Sequence, residues 1–366
     1  MRPLHALIDT QALRHNYRLA CQAAPHSRAL AVLKANAYGH GALECARALS
    51  DLAPAFGVAS IEEAQALREG GIEQPIVLLE GFFEADELEW IAAQGVTCVI
   101  HSEWQLEALA SAQVTQPIAV WLKCDSGMHR LGFVPDEVPD VWKRLGDMTA
   151  VGERVLMTHF ATADQQESAL FGHQLATVER LRQALGQPPV CWANSPATLS
   201  HPAAHGDWVR PGIMLYGADP LPRANDLSTE LQPVMTLESR LIAVRELGAG
   251  EPIGYGSRYV TEQPVRVGVV ACGYGDGYDR HAIDGTPVLV EGARTCVVGR
   301  VSMDMLIVDI TELPEADVGA RVTLWGRGPN GAILPVNEVA ACCDTISYTL
   351  LTGVTARVPR RMLSST

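Results

Sequence analysis

The sequence predicts a two-domain α/β protein, in which an N-terminal (β/α)8 barrel of the TIM type precedes a C-terminal, mostly antiparallel β domain. Up to about residue 217, eight short apolar runs alternate with segments whose apolar residues have helical spacing. Beyond a linker rich in proline, the apolar runs become β-branched and are separated by turn residues. A chain of 366 residues with 48% hydrophobic residues can form one large and one smaller domain. We expect the barrel to span residues 1–222 and the β domain residues 223–366.

The barrel strands are predicted from the apolar runs of the first domain. They cover residues 30–35, 56–60, 75–80, 96–100, 118–124, 154–160, 190–194 and 208–216. Between them, segments such as 61–69 and 102–112 show helical spacing, with Ser60 and Ser102 placed to cap the helix starts.

The linker is indicated by two prolines, an asparagine and an aspartate, namely Pro220, Pro222, Asn225 and Asp226. The strands predicted after it cover residues 241–244, 265–271, 286–290, 295–301, 305–310 and 321–324. Because glycine and aspartate turns separate these strands, we expect an antiparallel sandwich or barrel-like unit.

Composition excludes several classes of partner. The formal charge of −14 predicts an acidic surface that repels phosphate backbones and anionic lipid, so we expect no nucleic-acid and no membrane partner. No apolar stretch reaches the roughly 18 residues of a membrane span, and the N-terminus lacks a signal-peptide core. The nine cysteines contain no C-x-x-C pair, which favours free thiols and a cytoplasmic location.

Reactive side chains follow the predicted strands at their carboxyl ends, the face on which TIM barrels build their sites. These residues are Lys34, Lys123, Asp125, Arg130, His159, Asn194, Ser195 and Arg210. The set is rich in cations, so it suits an anion better than a metal ion. His201 and His205 have a spacing that could bind a metal, but Pro202 favours a turn, and we predict no metal site.

Lys34 is the strongest catalytic candidate in this set. A lysine is most often a solvated surface charge, but Lys34 follows an apolar run and precedes Gly39 and Gly41. Apolar surroundings make a lysine amine nucleophilic toward carbonyls, as Schiff base formation requires. On residue type alone, Arg210 could equally be a buried ion-pair partner, and a histidine such as His159 is more often a core residue than a catalytic one.

Two glycine-rich segments of the second domain allow more than one interpretation. Tyr255 lies between glycines, where an ordinary hairpin tyrosine is also expected. The segment 273–280, GYGDGYDR, lacks the G-x-G-x-x-G spacing before a helix that dinucleotide binding requires. A Rossmann-type site is therefore excluded.

Taken together, these motifs resemble those of the bacterial alanine racemase family, a group of pyridoxal-phosphate enzymes of fold type III, over essentially the whole chain. AVLKANAYGHGA at residues 31–42 is similar to the segment that holds the cofactor lysine. It is followed in order by LKCDSGMHRLGF, THFATAD, NSPA, VRPGIMLYG, GYGSRY, GYGDGY, GRVSMDM and RVPRR. The resemblance implies pyridoxal 5'-phosphate as cofactor, interconversion of L- and D-alanine, and a homodimer whose active sites are shared between subunits.

The resemblance also implies roles for individual residues. Lys34 would hold the cofactor covalently, while Arg210 would face its pyridine nitrogen with His159 supporting the arginine. The residues that would hold the cofactor phosphate are Tyr38, Ser195, Gly212, Ile213 and Tyr348.

A second group of residues would serve the substrate. Arg130 would meet the alanine carboxylate, and Lys123 is the position that many relatives modify to a carbamate bridging to that arginine. The partner subunit would contribute Tyr255, Met303, Tyr274 and Asp304. Lys34 would be the base for the face on which D-alanine presents its proton, and Tyr255 the base for L-alanine.

The sequence leaves the metabolic role open between D-alanine supply for peptidoglycan and alanine catabolism.

Three other functions are compatible with parts of the sequence. A pyridoxal-phosphate decarboxylase has a similar two-domain plan but is disfavoured by the tyrosine of GYGSRY and by Arg210. A non-catalytic pyridoxal-phosphate-binding protein is usually a single barrel, and a metal-dependent barrel hydrolase would need a His/Asp cluster.

Overall fold

The computed structural model describes residues 2–165 and 167–363. Its first strand, β1 (His5–Ile8), leads into helix α1 (Thr10–Ala23). The Asp9 carboxylate accepts hydrogen bonds from the N–H groups of Gln11 and Ala12, so the helix begins directly after that aspartate.

A parallel sheet of short strands forms the centre of the N-terminal domain. Its strands are β2 (Arg28–Ala29), β3 (Ala31–Val32), β4 (Phe56–Val58), β5 (Ile76–Leu78), β6 (Thr97–Ile100), β7 (Ile118–Lys123), β8 (Val151–Met157), β9 (Val190–Ala193) and β10 (Trp208–Val209). The helices that alternate with them are α2 (Lys34–Tyr38), α3 (Ala42–Leu49), α4 (Ile61–Glu69), α5 (Glu87–Ala93), α6 (Glu103–Ser111), α7 (Val138–Asp147), α8 (Ala169–Ala184) and α9 (Ser195–Ser200). Neighbours in the chain pair in parallel from β3 to β10, and β10 also pairs with β2.

The sheet closes because residues 28–33 bond on both sides. The N–H groups of residues 28, 30 and 32 donate to carbonyls of residues 207, 209 and 211, while those of residues 31 and 33 donate to carbonyls of residues 55 and 57. β2 and β3 are thus two halves of one barrel strand. The predicted (β/α)8 architecture is confirmed.

Several predicted barrel strands extend past the observed carboxyl ends, among them the strand predicted over residues 154–160, because β8 ends at Met157. Two of these ends have a clear cause in the backbone. The strand predicted over residues 30–35 ends at Val32, because the backbone of residues 35–38 turns left-handed. The strand predicted over residues 208–216 ends at Val209, because Pro211 has no N–H for the ladder and residues 213–216 form a 3-10 turn.

The helix starts predicted at Ser60 and Ser102 lie at the expected residues, but neither hydroxyl caps its helix. Instead, the third residue of each helix reaches back. Glu63 Oε2 accepts from the N–H of the residue before Ser60 at 2.8 Å, and Gln105 Oε1 accepts from the N–H of the residue before Ser102 at 2.9 Å. These contacts are a variant of the capping box, in which the longer side chain supplies the acceptor.

The C-terminal domain is mostly antiparallel, as predicted. Its strands are β11 (Met235–Leu247), β12 (Pro252–Ile253), β13 (Tyr259–Val260), β14 (Val265–Val270), β15 (Pro287–Val290), β16 (Ala293–Cys296), β17 (Leu306–Asp309), β18 (Arg321–Arg327), β19 (Ile333–Leu334) and β20 (Arg360–Met362), with helices α10 (Val336–Cys342) and α11 (Ser347–Gly353). The six predicted strands overlap β11, β14, β15, β16, β17 and β18. The strand predicted over residues 295–301 ends at Cys296, and Val297 keeps only an isolated bridge to Val308.

The first strand of the chain departs from the predicted division at residue 222. β1 precedes the barrel, yet it pairs antiparallel with β11 and parallel with β20 in the C-terminal sheet. Its alternating burial, with Ala6 and Ile8 inside, suits a strand of either domain. Pairing partners far along the chain decide where such a strand lies, so the local pattern does not reveal it.

One apolar core connects the two domains. A single cluster of buried side chains extends from Leu13 and Trp192 in the barrel to Trp325 and Leu350 beyond the linker. All nine cysteines are free thiols, and most are buried. None of the helices in the described part of the chain has the length and apolar character needed to cross a bilayer.

Gly217, which ends the barrel, provides a test of this packing. Its φ is +82°, and a Cβ there would overlap the Gln232 carbonyl oxygen and lie 2.8 Å from Pro233 Cα. Gly71 has nearly the same φ, +83°, but no atom lies within 4 Å of its Cβ position. We expect Gly71→Ala to lower the free energy of unfolding by about 1–2 kcal/mol, and Gly217→Ala to lower it by at least about 2 kcal/mol more.

Urea unfolding of both variants measures this difference. Equal losses would show that the contact between Gly217 and residues 232–233 relaxes freely, contrary to the packing described above.

Candidate functional site

A cavity of about 850 Å³ opens at the carboxyl ends of the barrel strands. Ten of the predicted site residues line it: Lys34, Tyr38, Lys123, Arg130, His159, Ser195, Arg210, Gly212, Ile213 and Tyr348. Closure of the barrel sheet brings nine of them together, and Tyr348 comes from α11 of the C-terminal domain.

Lys34 begins an unusual segment, the lysine turn (residues 34–38). Four consecutive non-glycine residues, 35–38, have φ between +51° and +54°, which is one turn of left-handed helix. This conformation costs about 1–2 kcal/mol for each L-residue, so contacts around the turn must offset that conformational energy. Backbone hydrogen bonds also link the segment to its neighbours: the N–H of Ala37 donates to the carbonyl of Leu33 at 2.7 Å, and the N–H of Gly39 donates to the carbonyl of Ala35 at 3.0 Å.

Side chains from both domains hold the lysine turn. Glu63 Oε1 accepts from the N–H of Ala35 at 2.7 Å, and Arg360 Nε donates to the carbonyl of Gly39 at 2.6 Å. The Tyr38 ring stacks on Tyr216, with ring centroids 4.8 Å apart. The lysine turn is therefore fixed near its beginning and at its end.

Arg210 is buried and rigidly held. Its Nη1 donates to the carbonyl of Cys191 at 2.9 Å and contacts the Cys191 sulfur at 3.2 Å, while Nη2 donates to the carbonyl of Thr158 at 2.9 Å. These acceptors are neutral, so no carboxylate neutralises the guanidinium among the described residues. It presents a fixed positive charge to the cavity.

His159 supports this arginine as a neutral ring. Burial, followed by the positive charge of Arg210, lowers the pKa of His159 well below its usual range. The neutral ring can accept a hydrogen bond at Nδ1, which lies 3.4 Å from Arg210 Nη2.

Lys123 is a second amine in the cavity wall. Burial, together with the nearby positive charges of Arg210 and Arg130, lowers its pKa to about 8. About half of this amine is thus unprotonated near pH 8, where an ordinary lysine is almost fully protonated. Arg130 lies in the loop after β7, where the Asp125 carboxylate accepts three backbone N–H groups and orders the turn.

The other end of the cavity offers neutral hydrogen-bond donors. Ser195 Oγ accepts from the N–H of Gly212 at 2.8 Å, and a Cβ on Gly212 would lie only 2.6 Å from Tyr38 Oη. Burial raises the pKa of Tyr38 and raises that of Tyr348 to about 12, so both phenols keep their protons. A glycine, a serine and two phenols form a close cradle for an anionic group.

Charge in the cavity is unbalanced. Lys34, Lys123, Arg130 and Arg210 line it, against the carboxylates of Glu80 and Asp164. None of the four cations forms an ion pair within the described ranges. The surplus of positive charge favours a ligand with more than one negative group.

Four predicted site residues lie elsewhere. Tyr255 is 72% exposed, Met303 53% and Tyr274 39%, and neither these residues nor Asp304 belongs to the described lining of the cavity. Tyr274 and Met303 lie on interlocked loops, in which the N–H of Gly275 donates to the carbonyl of Met303 at 2.9 Å. The chain therefore presents these side chains on the outside of its C-terminal domain.

Sequence reasoning missed three residues that organise the site. Thr158 and Cys191 hold Arg210 mainly through backbone carbonyls, which leave no side-chain signal. Glu63 follows Ser60 by three residues, and this pattern predicts a helix cap but not its second hydrogen bond to Ala35.

Family models match both halves of the chain. The alanine racemase N-terminal domain matches residues 8–220, and the alanine racemase C-terminal domain matches residues 234–362. The chain is 62% identical over 361 residues to an alanine racemase of Chromohalobacter salexigens, covering 98% of both chains. It is 54% identical to the catabolic alanine racemase of Pseudomonas aeruginosa, covering 98% of this chain and 99% of that one.

Solved structures agree with this relationship. The biosynthetic alanine racemase of Pseudomonas aeruginosa superposes with a TM-score of 0.95 at 49% identity, covering all of both chains. The alanine racemase of Bartonella henselae, solved with covalently bound pyridoxal phosphate, gives 0.87 at 29% identity, covering 99% of this chain and 100% of that one. This chain belongs to the alanine racemase family of pyridoxal-phosphate-dependent amino-acid isomerases.

Proposed function

We propose that this chain interconverts L- and D-alanine with pyridoxal phosphate held by Lys34, either to supply D-alanine for peptidoglycan or to serve alanine catabolism. The observation that carries the proposal is a single cavity lined by Lys34, Arg210 and two further basic side chains, none of which has an ion-pair partner among the described residues. A phosphate and a substrate carboxylate together supply the negative charge that this cavity lacks.

The residues present fit the cofactor. The Gly212 position leaves no room for a Cβ beside Tyr38 Oη, so the backbone and the phenol can approach a phosphate oxygen together. Tyr348 and Ser195 add hydroxyl groups to the same cradle, and Ile213 adds a backbone N–H. The set of donors suits a phosphate dianion, which accepts several short hydrogen bonds.

When bound, the cofactor withdraws electrons from the α-carbon of the amino acid and so makes its proton removable. Arg210 would face the pyridine nitrogen of the bound cofactor. Because a guanidinium stays protonated in proteins, Arg210 would donate a hydrogen bond without transferring its proton and would leave that nitrogen neutral. Such an arrangement would favour return of the proton to the α-carbon, and so racemisation over transamination.

Two bases on opposite faces complete the reaction. Lys34 removes or returns the α-proton on the face presented by D-alanine, and Tyr255 does so on the face presented by L-alanine. A phenol acts as a base only when its phenolate is stabilised, and Arg130 is the candidate cation. Arg130 also meets the alanine carboxylate, where Lys123 supports it as a carbamate.

Tyr255 requires a second subunit. Its side chain projects from the C-terminal domain with 72% of its surface exposed, away from the described lining of its own cavity. In a two-fold symmetric homodimer, Tyr255, Met303, Tyr274 and Asp304 of each chain reach the cavity of the other. The exposed apolar surface of Tyr255 and Met303 is the kind that a subunit interface covers.

The domain boundary belongs at residues 222 and 223, apart from β1, which pairs in the C-terminal sheet. The free cysteines and the net charge of −14 support a cytoplasmic enzyme without nucleic-acid or membrane partners.

The primary experiment tests Lys34. We expect the purified protein to absorb as a lysine-bound pyridoxal phosphate, to label Lys34 on borohydride reduction, and to racemise L-alanine by polarimetry. Lys34→Ala should lower the racemase rate by at least about 10³-fold because it removes the anchor and one base. Lys143→Ala, at an exposed position on α7, is the matched control. A Lys34→Ala enzyme that still carries a reducible bond to the cofactor would contradict the assignment.

The low pKa of Lys123 predicts how its modification depends on pH. Carbon dioxide adds to the neutral amine and a proton is released, so carbamate occupancy at constant dissolved CO₂ should rise with pH. Because the pKa of Lys123 is lowered to about 8, its carbamate should form at a lower pH than that of an exposed lysine. Carbon-13 NMR with labelled CO₂ measures the occupancy, with Lys123→Gln as the blank. A labelled resonance that persists in Lys123→Gln would place the carbamate on another residue.

Mixed dimers test the shared site. Lys34→Ala and Tyr255→Phe homodimers should each be inactive, and reassembly of the two chains should make about half of the dimers mixed. Each mixed dimer has one site with both defects and one intact site, so roughly a quarter of wild-type activity should return. Continued inactivity, with mixed dimers demonstrated by mass spectrometry, would show that Tyr255 acts within its own chain.

A further inference from the structure

The lysine turn is a strained segment that needs support at the end where Lys34 lies. At its far end, Tyr38 stacks on Tyr216, and Arg360 Nε donates to the carbonyl of the next residue, Gly39, at 2.6 Å. At its near end, the N–H of Ala35 has one acceptor among the described residues, the Oε1 atom of Glu63 at 2.7 Å. Glu63 therefore bonds to the residue directly after Lys34.

The second oxygen of Glu63 has a different and ordinary task. Oε2 accepts from the N–H of Ala59 at 2.8 Å, which caps the start of α4. One oxygen is sufficient for that cap. The bond from Oε1 to Ala35 spans 28 residues of sequence and joins the lysine turn after β3 to helix α4 after β4. Helix capping does not require it.

We propose that Glu63 is a positioning residue for Lys34: its carboxylate clamps the start of the lysine turn to α4, so that the amine is held toward the cavity. This clamp is a hydrogen bond from a backbone N–H to a carboxylate, and a charged acceptor makes such a bond stronger than one between two neutral groups. Without it, the Ala35 N–H loses its acceptor, and the left-handed backbone beside Lys34 loses its nearest support.

This inference rests on the proposed function only where it invokes the cofactor. Lys34 would have to reach the carbonyl carbon of a cofactor whose phosphate the cradle at Tyr38 and Gly212 would hold, and Tyr38 is the last residue of the same turn. Glu63 therefore affects both ends of the cofactor through one segment. Its loss should weaken cofactor binding more than it weakens the fold as a whole.

The experiment compares Glu63→Ala and Glu63→Gln with Glu69→Ala, an exposed glutamate on the same helix. Hydrogen–deuterium exchange of the holoenzyme is followed in peptides covering residues 33–41 and 57–69. Pyridoxal-phosphate affinity is measured by reconstitution, and overall stability is measured by urea unfolding.

We expect Glu63→Ala to speed exchange in residues 33–41 and to weaken pyridoxal-phosphate affinity by about tenfold or more, because a backbone donor loses its partner. Glu63→Gln keeps the side-chain size and one acceptor oxygen, so it should give an intermediate loss and remains available if the alanine variant folds poorly. Glu69→Ala should match the wild type in both measurements.

Two outcomes have distinct meanings. Faster exchange confined to residues 57–69, with wild-type cofactor affinity, would make Glu63 a helix cap alone and overturn the inference. A wild-type protein without a borohydride-reducible bond at Lys34 would overturn the proposed function, while the exchange in residues 33–41 would still report on the clamp.

Discussion

Backbone hydrogen bonds on both sides of residues 28–33 close the barrel, and the position of the site follows from this closure. The N–H groups of this strand bond alternately to the last and to the second strand of the barrel, and this closes the sheet. Closure places the carboxyl end of the strand, and with it Lys34, opposite Arg210 at the end of the strand beside it. A parallel sheet left open there would separate the two residues, and the cavity would have no wall.

The chemistry of the site follows from how its cations are held. Arg210 is held by backbone carbonyls and a neutral histidine, so its charge is free to face a ligand. Lys123 is buried beside it and responds by a lowered pKa. Neighbouring positive charges in a partly closed cavity repel one another, and an anionic ligand relieves that repulsion. Repulsion between these charges thus destabilises the empty cavity, and binding of the anionic cofactor and substrate offsets that repulsion.

The two domains are joined more closely than a linker alone would join them. β1 crosses from the start of the chain into the C-terminal sheet, and Arg360 of β20 reaches back to the carbonyl of Gly39. A single apolar core continues between them. The C-terminal domain therefore supports the lysine turn of its own barrel while it exposes Tyr255 on its outer surface.

The two-domain plan could be predicted from the sequence, because the change from helical spacing to β-branched runs is a local property of the chain. Strand ends and the family motifs around them also predicted ten residues that line the cavity, nine in the barrel and Tyr348 in the C-terminal domain. The sequence did not reveal the left-handed lysine turn, the second bond of Glu63 or the pairing of β1. Each of these features depends on a partner distant in the chain, namely α4 for the turn and β11 and β20 for β1, so no local pattern predicts it. Local propensity opposes four consecutive left-handed L-residues, and long-range hydrogen bonds and packing overcome it.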